Sequence, residues 1–286
     1  MEKNALVFQS DFGQGDGAVS AMYGVACSID PHLRIFDLTH DIPQYNVWEA
    51  SYRLIQTVQF WPPETVFVSV VDPGVGSDRR SIAVKTKTGH YVIAPDNGTV
   101  THLVRRLGIE SVRIINSEKN RLPYSEQSHT FHGRDVYAFV GAKLASGIVK
   151  FVDIGEEADV SSLVELPVIE AVREGDSVSG TIDVLDVRFG SLWTNIPLAL
   201  FQELAIPVGG RVEVSIQNDT RSVYRNFLVY ARSFADVHVG ESLVYLNSLH
   251  NMAVAINQGS FAHAYNIGTG SNWKISIRRA PKLVYE

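Results

Sequence analysis

Residues 5–18 read ALVFQSDFGQGDGA, and the fold turns on how they are taken. ALVFQ (5–9) is an apolar run of strand length. A glycine-rich turn follows, and residues 17–29 show helical spacing through Met22, Val25, Ala26 and Ile29. Within the turn, Gly13-x-Gly15-x-x-Ala18 fits the dinucleotide fingerprint, and Asp37 follows about 20 residues after the turn, where a ribose-binding acid would stand. Asp11 and Asp16 flank the same loop, however, and two carboxylates beside a pyrophosphate would repel it. Ser10-Asp11 also inserts a polar step between the strand and the glycines. A carboxylate at the end of a parallel strand suits a different ligand, because it accepts two hydrogen bonds from vicinal hydroxyls. Asp11 is therefore read as a ribose-diol ligand, with a helix N-cap as the alternative.

Outward from this stretch the alternation continues. LRIFDL (33–38) is a strand, and residues 46–60 look helical through Val47, Ala50, Leu54 and Val58 until Pro62-Pro63. TVFVSVV (65–71) has the continuous apolarity of a strand buried on both faces. SIAVKT and YVIAP flank KTGH as a hairpin, and residues 99–107 and 134–146 look helical. This pattern predicts an α/β domain with a mostly parallel sheet and Rossmann-like layers. After about residue 168, VSGTIDVLDV, RVEVSIQ, RNFLVYARSF, SLVYLNS, MAVAINQ and WKISIRRA are short strands with few helices between them. They predict an antiparallel β-barrel-like domain. The expected domains are 1–165 and 168–286, divided in the acidic stretch EEADVSSLVELP (156–167).

The 286 residues carry a net charge of −6 with acids and bases interspersed, so a nucleic-acid surface is not expected. Cys27 is the single cysteine, which excludes an intramolecular disulfide and favours a reducing compartment. It is read as a buried structural thiol on the apolar side of its helix. The apolar run near the start is too short for a signal peptide, and no stretch has the length of a membrane span. A cytoplasmic protein without a membrane partner is expected.

Three further stretches carry polar chemistry. VVDPGVGSDRR (70–80) places Asp72 at the end of the most buried strand, and a Pro-Gly turn returns Arg79 or Arg80 toward it. A surface ion pair is the plainer reading. TFHGRDVYAF (130–139) sets His132 before a helix start, as an acid/base, a charge partner or a structural residue. Loops at one end of an α/β sheet would gather Asp72, Arg79 and His132. DVLDVRFGSLWTNIP (183–197) reads as strand–turn–strand, either as a core element with Trp193 packed or as the rim of a site for a polar aromatic ligand. Phe234 could stack on a base, and Asn247, Ser248, Asn257 and Gln258 could read polar edges. The histidines show no zinc-ligand spacing, so no metal is expected.

SDFG (10–13), LTH (38–40), DPGVGSDRR (72–80), PDNG (95–98), FHGRD (131–135), FGSLWTNI (189–196) and AINQGSFA (255–262), in that order, resemble the S-adenosyl-L-methionine (SAM) hydrolases. These are also called SAM hydroxide adenosyltransferases and are relatives of the bacterial fluorinase and chlorinase. The resemblance spans nearly the whole chain. It implies hydrolysis of SAM to adenosine and L-methionine by attack of water, as hydroxide, on C5′, with SAM as substrate and no cofactor. It implies a homotrimer, or a dimer of trimers, with each site between one subunit's N-domain and its neighbour's C-domain. The water-handling residues would be Asp72, Arg79 and His132, and the ribose acid Asp11. Tyr45 would lie against the sugar, where the fluorinase has Trp. Asp186 would lie near the methionine amine, and Phe234 would stack on adenine. Ser191 stands where the halogenases place Asn. Leu249 follows Ser248 where the fluorinase has an Arg for the methionine carboxylate.

The sulfonium makes the leaving group a neutral thioether, so the demand falls on the nucleophile. Asp72 can accept a proton from water or orient it, while Arg79 and His132 stabilise hydroxide character. Two rivals stand beside this reading. A SAM-dependent halogenase is disfavoured by the acid at Asp72, by FHGRD, and by the short segment between Ile82 and Asn97, where the fluorinase carries an insertion. A non-catalytic SAM or adenosine sensor would keep Asp11 and Phe234 but lose the water site.

Overall fold

The computed structural model describes residues 4–281 and divides the chain into two compact units, up to Leu166 and from Pro167. The first unit is built on seven strands: β1 (Ala5–Ser10), β2 (Arg34–Thr39), β3 (Val66–Val70), β4 (Ser81–Thr86), β5 (Tyr91–Pro95), β6 (Ile109–Ile115) and β7 (Gly155–Ala158). Their order in the sheet is β2-β1-β3-β5-β4-β6-β7. The pairings β2–β1, β1–β3 and β3–β5 are parallel, and the hairpin partner β4 and the edge strand β7 run the other way. Side chains alternate across the sheet, and both faces are dry. Leu6, Phe8, Val66 and Val68 enter the core shared with α1 (Ala18–Ile29) and α4 (Phe139–Ala145). Val7, Phe67 and Val84 face the opposite core, on the side of α2 (Val47–Thr57) and α3 (Thr101–Arg106), which pack together. Burial on both faces is why β1 and β3 are mainly apolar, and the polar Gln9 and Ser69 within them are buried in a mutual hydrogen bond at 2.7 Å.

Several local expectations change. The helix expected at 46–60 begins with the Asn46 side chain accepting from Glu49 N–H at 2.9 Å, but tightens to a 3₁₀ turn at Val58–Phe60. Residues 134–146 hold a π-helical turn, Gly133–Ala138, before α4. The acidic stretch at 156–167 is partly strand. Exposed Glu156 and Glu157 lie on β7, where charge protects a sheet edge from further pairing. Cys27 is exposed rather than buried. The buried stripe of α1 runs through Val19, Met22, Val25 and Ala26, and each further residue turns about 100° around the axis, which carries Cys27 off that face.

Close packing of α4 on the sheet depends on Gly141. A Cβ there would lie 2.4 Å from Val68 Cγ2 and 3.3 Å from Leu6 Cδ1. Gly141→Ala should therefore destabilise the first unit by about 1–3 kcal/mol, seen as a lower calorimetric midpoint. An unchanged midpoint would mean that the helix can shift freely on the sheet.

The second unit contains β8 (Val172–Glu174), β9 (Ser177–Leu185), β10 (Leu192–Pro197), β11 (Arg211–Asn218), β12 (Arg221–Tyr230), β13 (Ser242–Leu246), β14 (Asn251–Ile256) and β15 (Gly270–Arg279). The order β10-β14-β13-β12-β11-β15-β9 closes on itself through a β10–β9 pairing, and β8 extends β9 outside the ring. The barrel is antiparallel except at β12–β13, which is parallel. Strands that alternate direction cannot close a ring of seven, so one parallel pairing is obligatory. Val178, Ile182, Val212, Val214, Val254 and Ile275 belong to its core, and two short helices, α5 (Leu198–Gln202) and α6 (Phe261–Tyr265), accompany it.

Candidate active site

In the first unit the chain leaves β1 to form β2 on one side and then returns to form β3 on the other. Adjacent parallel strands whose connections diverge in this way open a crevice at their carboxyl ends. Ser10 pairs with Val70 there, so Asp11 and Asp72 emerge side by side just beyond the sheet. A pocket of about 330 Å³ lies at this point, lined by Asp11, Phe12, Asp16, Tyr45, Asp72, Val75, Phe131 and His132, among others.

Asp11 does not cap α1. Its Oδ2 accepts the Tyr45 backbone N–H at 2.8 Å, leaving Oδ1 for a ligand. Tyr45 holds a left-handed φ of 66° and is 70 % exposed at the pocket. A bulky residue in that conformation is strained, and such strain gathers at functional sites. Asp16 Oδ1 accepts from Ala18 N–H at 2.8 Å, so a carboxylate already occupies the helix start that a pyrophosphate would need. Asp37, the acid in the dinucleotide reading, is committed to His40 Nε2 at 3.0 Å and to the Tyr23 hydroxyl. His40 Nδ1 in turn meets Ser10 Oγ at 2.7 Å, anchoring the loop that carries Asp11.

Asp72 and Arg79 form a two-pronged pair rather than a surface contact. Arg79 Nε donates to Asp72 Oδ1 at 2.6 Å and Nη2 to Oδ2, with side chains only 10 % and 6 % exposed. Arg79 Nη1 reaches Ser81 Oγ at 3.1 Å and Arg80 O at 3.4 Å, while Nη2 lies 3.0 Å from His132 Nδ1. Arg80 is engaged elsewhere, with Asp96. The π-helical turn brings His132 to the strand end. Gly133 permits this approach, since a Cβ there would come within 3.0 Å of Val70 Cγ1. A π turn of this kind is rare and recurs at functional positions.

Two further residues complete the cluster. Tyr137, fully buried, contacts all three members of the cluster. Its hydroxyl is 3.4 Å from Asp72 Oδ2, its ring centroid is 5.6 Å from the Arg79 guanidinium, and the His132 ring lies edge-on at 6.5 Å. Burial first, and then the Asp72 charge, push the Tyr137 phenol up. Arg121 Nη2 lies 3.0 Å from His132 Nε2. Burial, then Arg79 and Arg121, push the His132 imidazole below its ordinary range against the pull of Asp72. A tyrosine within an apolar stripe gives no signal in a sequence beyond an extra hydroxyl, and Arg121 lies in an aperiodic loop.

The second unit carries a pocket of about 640 Å³ lined by Arg188, Phe189, Ser191, Phe234, Ile256, Asn257, Gln258, Gly259 and Ser260. Ser191, Phe234, Asn257 and Gln258 are thus brought together. Asp186 and Ser248 do not line this pocket. Asp186 Oδ1 accepts the N–H groups of Arg188 and Phe189, both at 3.1 Å, and so shapes the turn between β9 and β10. Ser248 sits exposed on the turn before β14, which Asn247 Oδ1 organises by accepting from Leu249 and Asn251 N–H. Among the described residues, no group of three or more His, Cys, Asp or Glu side chains is placed to hold a metal ion. No helix among them is long and apolar enough to cross a membrane.

Comparison with known proteins adds to this geometry. Residues 6–155 match the SAM hydroxide adenosyltransferase N-terminal domain, and residues 180–274 match the C-terminal domain of the same family. The chain is 33 % identical to the (R)-S-adenosyl-L-methionine hydrolase of Salinispora tropica, over 95 % of this chain and 97 % of that one. It is 27 % identical to the fluorinase of Actinopolyspora mzabensis, over 95 % and 96 % of the two chains. The crystal structure of an uncharacterized conserved protein from Thermotoga maritima superposes with a TM-score of 0.87 at 33 % identity, covering 96 % of this chain and all of that one.

Proposed function

Because the chain belongs to the SAM hydroxide adenosyltransferase family, we propose that it hydrolyses S-adenosyl-L-methionine to adenosine and L-methionine. The convergence of Asp72, Arg79 and His132 at the carboxyl ends of β1 and β3 carries this reading. A water oxygen bonds to C5′ as the C5′–S bond breaks. The electron pair of that bond stays on sulfur, giving a neutral thioether, and the proton released by the water leaves to solvent. No acid is needed at the leaving group. Asp72 accepts a hydrogen bond from the attacking water, and Arg79 and His132 stabilise its developing hydroxide character. Asp11 holds the ribose diol through its free Oδ1, and Tyr45 lies against the sugar. Holding the reacting carbon in line can be worth roughly 7–11 kcal/mol in favourable cases. The three carboxylates lining the first pocket, with Arg79 as counter-charge, suit a substrate of net positive charge.

The second pocket supplies a stacking face at Phe234 and polar edges at Ser191, Asn257 and Gln258 for adenine. As part of the same proposal, three copies assemble so that this pocket of one subunit closes on the first pocket of another. Exposed Tyr45, Phe189 and Phe234 on the two pockets support that arrangement. The lone Cys27 supports a reducing, cytoplasmic setting.

The test is incubation with SAM in ¹⁸O-labelled water followed by mass spectrometry. Label in adenosine and none in methionine is expected. Intact SAM alongside tight adenosine binding would instead indicate a sensor, and a chloride-dependent 5′-chloronucleoside would indicate a halogenase.

A further inference from the structure

His132 stands between two guanidinium groups, with Arg79 Nη2 at 3.0 Å from Nδ1 and Arg121 Nη2 at 3.0 Å from Nε2. A guanidinium only donates, and a neutral imidazole has one acceptor nitrogen. Only one of these contacts is therefore a hydrogen bond, and the choice decides what His132 can do in the reaction.

We infer that Arg121 is a positioning residue that holds His132 as the neutral Nδ1–H tautomer, so that His132 donates a hydrogen bond to the reacting oxygen and takes no proton from it. The role in the reaction rests on the hydrolase reading above, whereas the tautomer rests on geometry alone.

Four of the five N–H groups of Arg79 have acceptors without His132: both oxygens of Asp72, Ser81 Oγ and Arg80 O. Arg121 has fewer choices. Its Nη1 donates to Ser125 O at 3.2 Å and Ser128 O at 2.9 Å, and its side chain is 8 % exposed. Its Nη2 points at His132 Nε2. If that nitrogen carried the proton, a nearly buried guanidinium would face an N–H, leaving two donors without an acceptor, which is the costly outcome. Nε2 is therefore the acceptor and Nδ1 carries the hydrogen. That N–H cannot bond to Arg79 Nη2 beside it. Because His132 lines the first pocket, its Nδ1–H instead donates to an oxygen bound there.

The surrounding charges agree. Arg79 and Asp72 face the ring from the loop after β3, Arg121 and His129 from the segment before the π turn, and Tyr137 from that turn. A proton on His132 would add a third cation between two guanidinium groups, and the one carboxylate among these groups is already paired with Arg79. Arg121 is itself set by the fully buried Asp135, 4.0 Å from its Nη1, which also takes Arg134 Nε at 2.7 Å.

The experiment is ¹⁵N NMR of the full-length protein labelled at histidine, with the His132 signals among the nine histidines identified by their loss in His132→Gln. A neutral, Nδ1-protonated His132 at neutral pH is expected. An Nε2-protonated ring or an imidazolium would overturn the inference whether or not the protein turns over SAM. In Arg121→Met, both tautomers should appear. kcat should fall roughly tenfold with little change in KM, and the acid limb of the kcat profile should move to higher pH as one neighbouring positive charge is lost. Arg121→Lys should recover part of kcat. A loss of kcat in Arg121→Met with an unmoved His132 tautomer and an unmoved acid limb would show that Arg121 merely secures the 121–128 loop, and would also overturn it.

Discussion

Asp72→Asn should lower kcat by about 10²–10⁴-fold while adenosine still binds. The substitution keeps the shape of the side chain and removes two things at once. The attacking water loses a carboxylate acceptor, and the Arg79 fork loses one of its two oxygens to an NH₂ group. Two donors then face one another in a site where both side chains are nearly buried. Because breaking a buried pair can cost about 3–5 kcal/mol, a lower melting temperature should accompany the loss. Turnover must therefore be expressed per adenosine-binding site, with binding measured by calorimetry. Full turnover in such a preparation would remove Asp72 from the water-handling role.

Asp11→Ala should act on binding rather than on the chemical step. A hydrogen bond to a charged group contributes about 1.5–3 kcal/mol, so losing one or two from the ribose hydroxyls should weaken adenosine by roughly 10- to 10⁴-fold. The Tyr45 N–H would also lose its acceptor, and with it the contact that holds Tyr45 beside the sugar. KM for SAM should rise with a smaller change in kcat. Calorimetry with adenosine is the direct check, and an unchanged affinity would mean that Asp11 organises only its own loop.

Much of this site is legible in the chain before any folding is considered, because turn chemistry is local. Asp11 and Asp72 follow largely apolar strands and precede glycine-rich turns, which places them at strand ends. The Pro73-Gly74 turn brings Arg79 back to Asp72 within a few residues. Periodicity also shows which halves are α/β and β-rich. It is less informative about single positions at the margin of a stripe, and so Cys27 is exposed although its neighbours are buried. The short edge strand β7 is hidden by its charges, which protect the edge and read as a linker.

Composition, strand and helix period, and turn residues thus determine by themselves the two architectures and the principal polar residues of the first pocket, since each depends on neighbours within a few positions. Tertiary structure alone decides the rest. Closure of seven strands imposes the parallel β12–β13 pairing. A loop far from β3 sets Arg121 against His132. These are contacts between distant segments or consequences of ring closure, and a hydrogen-bonding conflict such as the one at His132 exists only once three such segments meet in space.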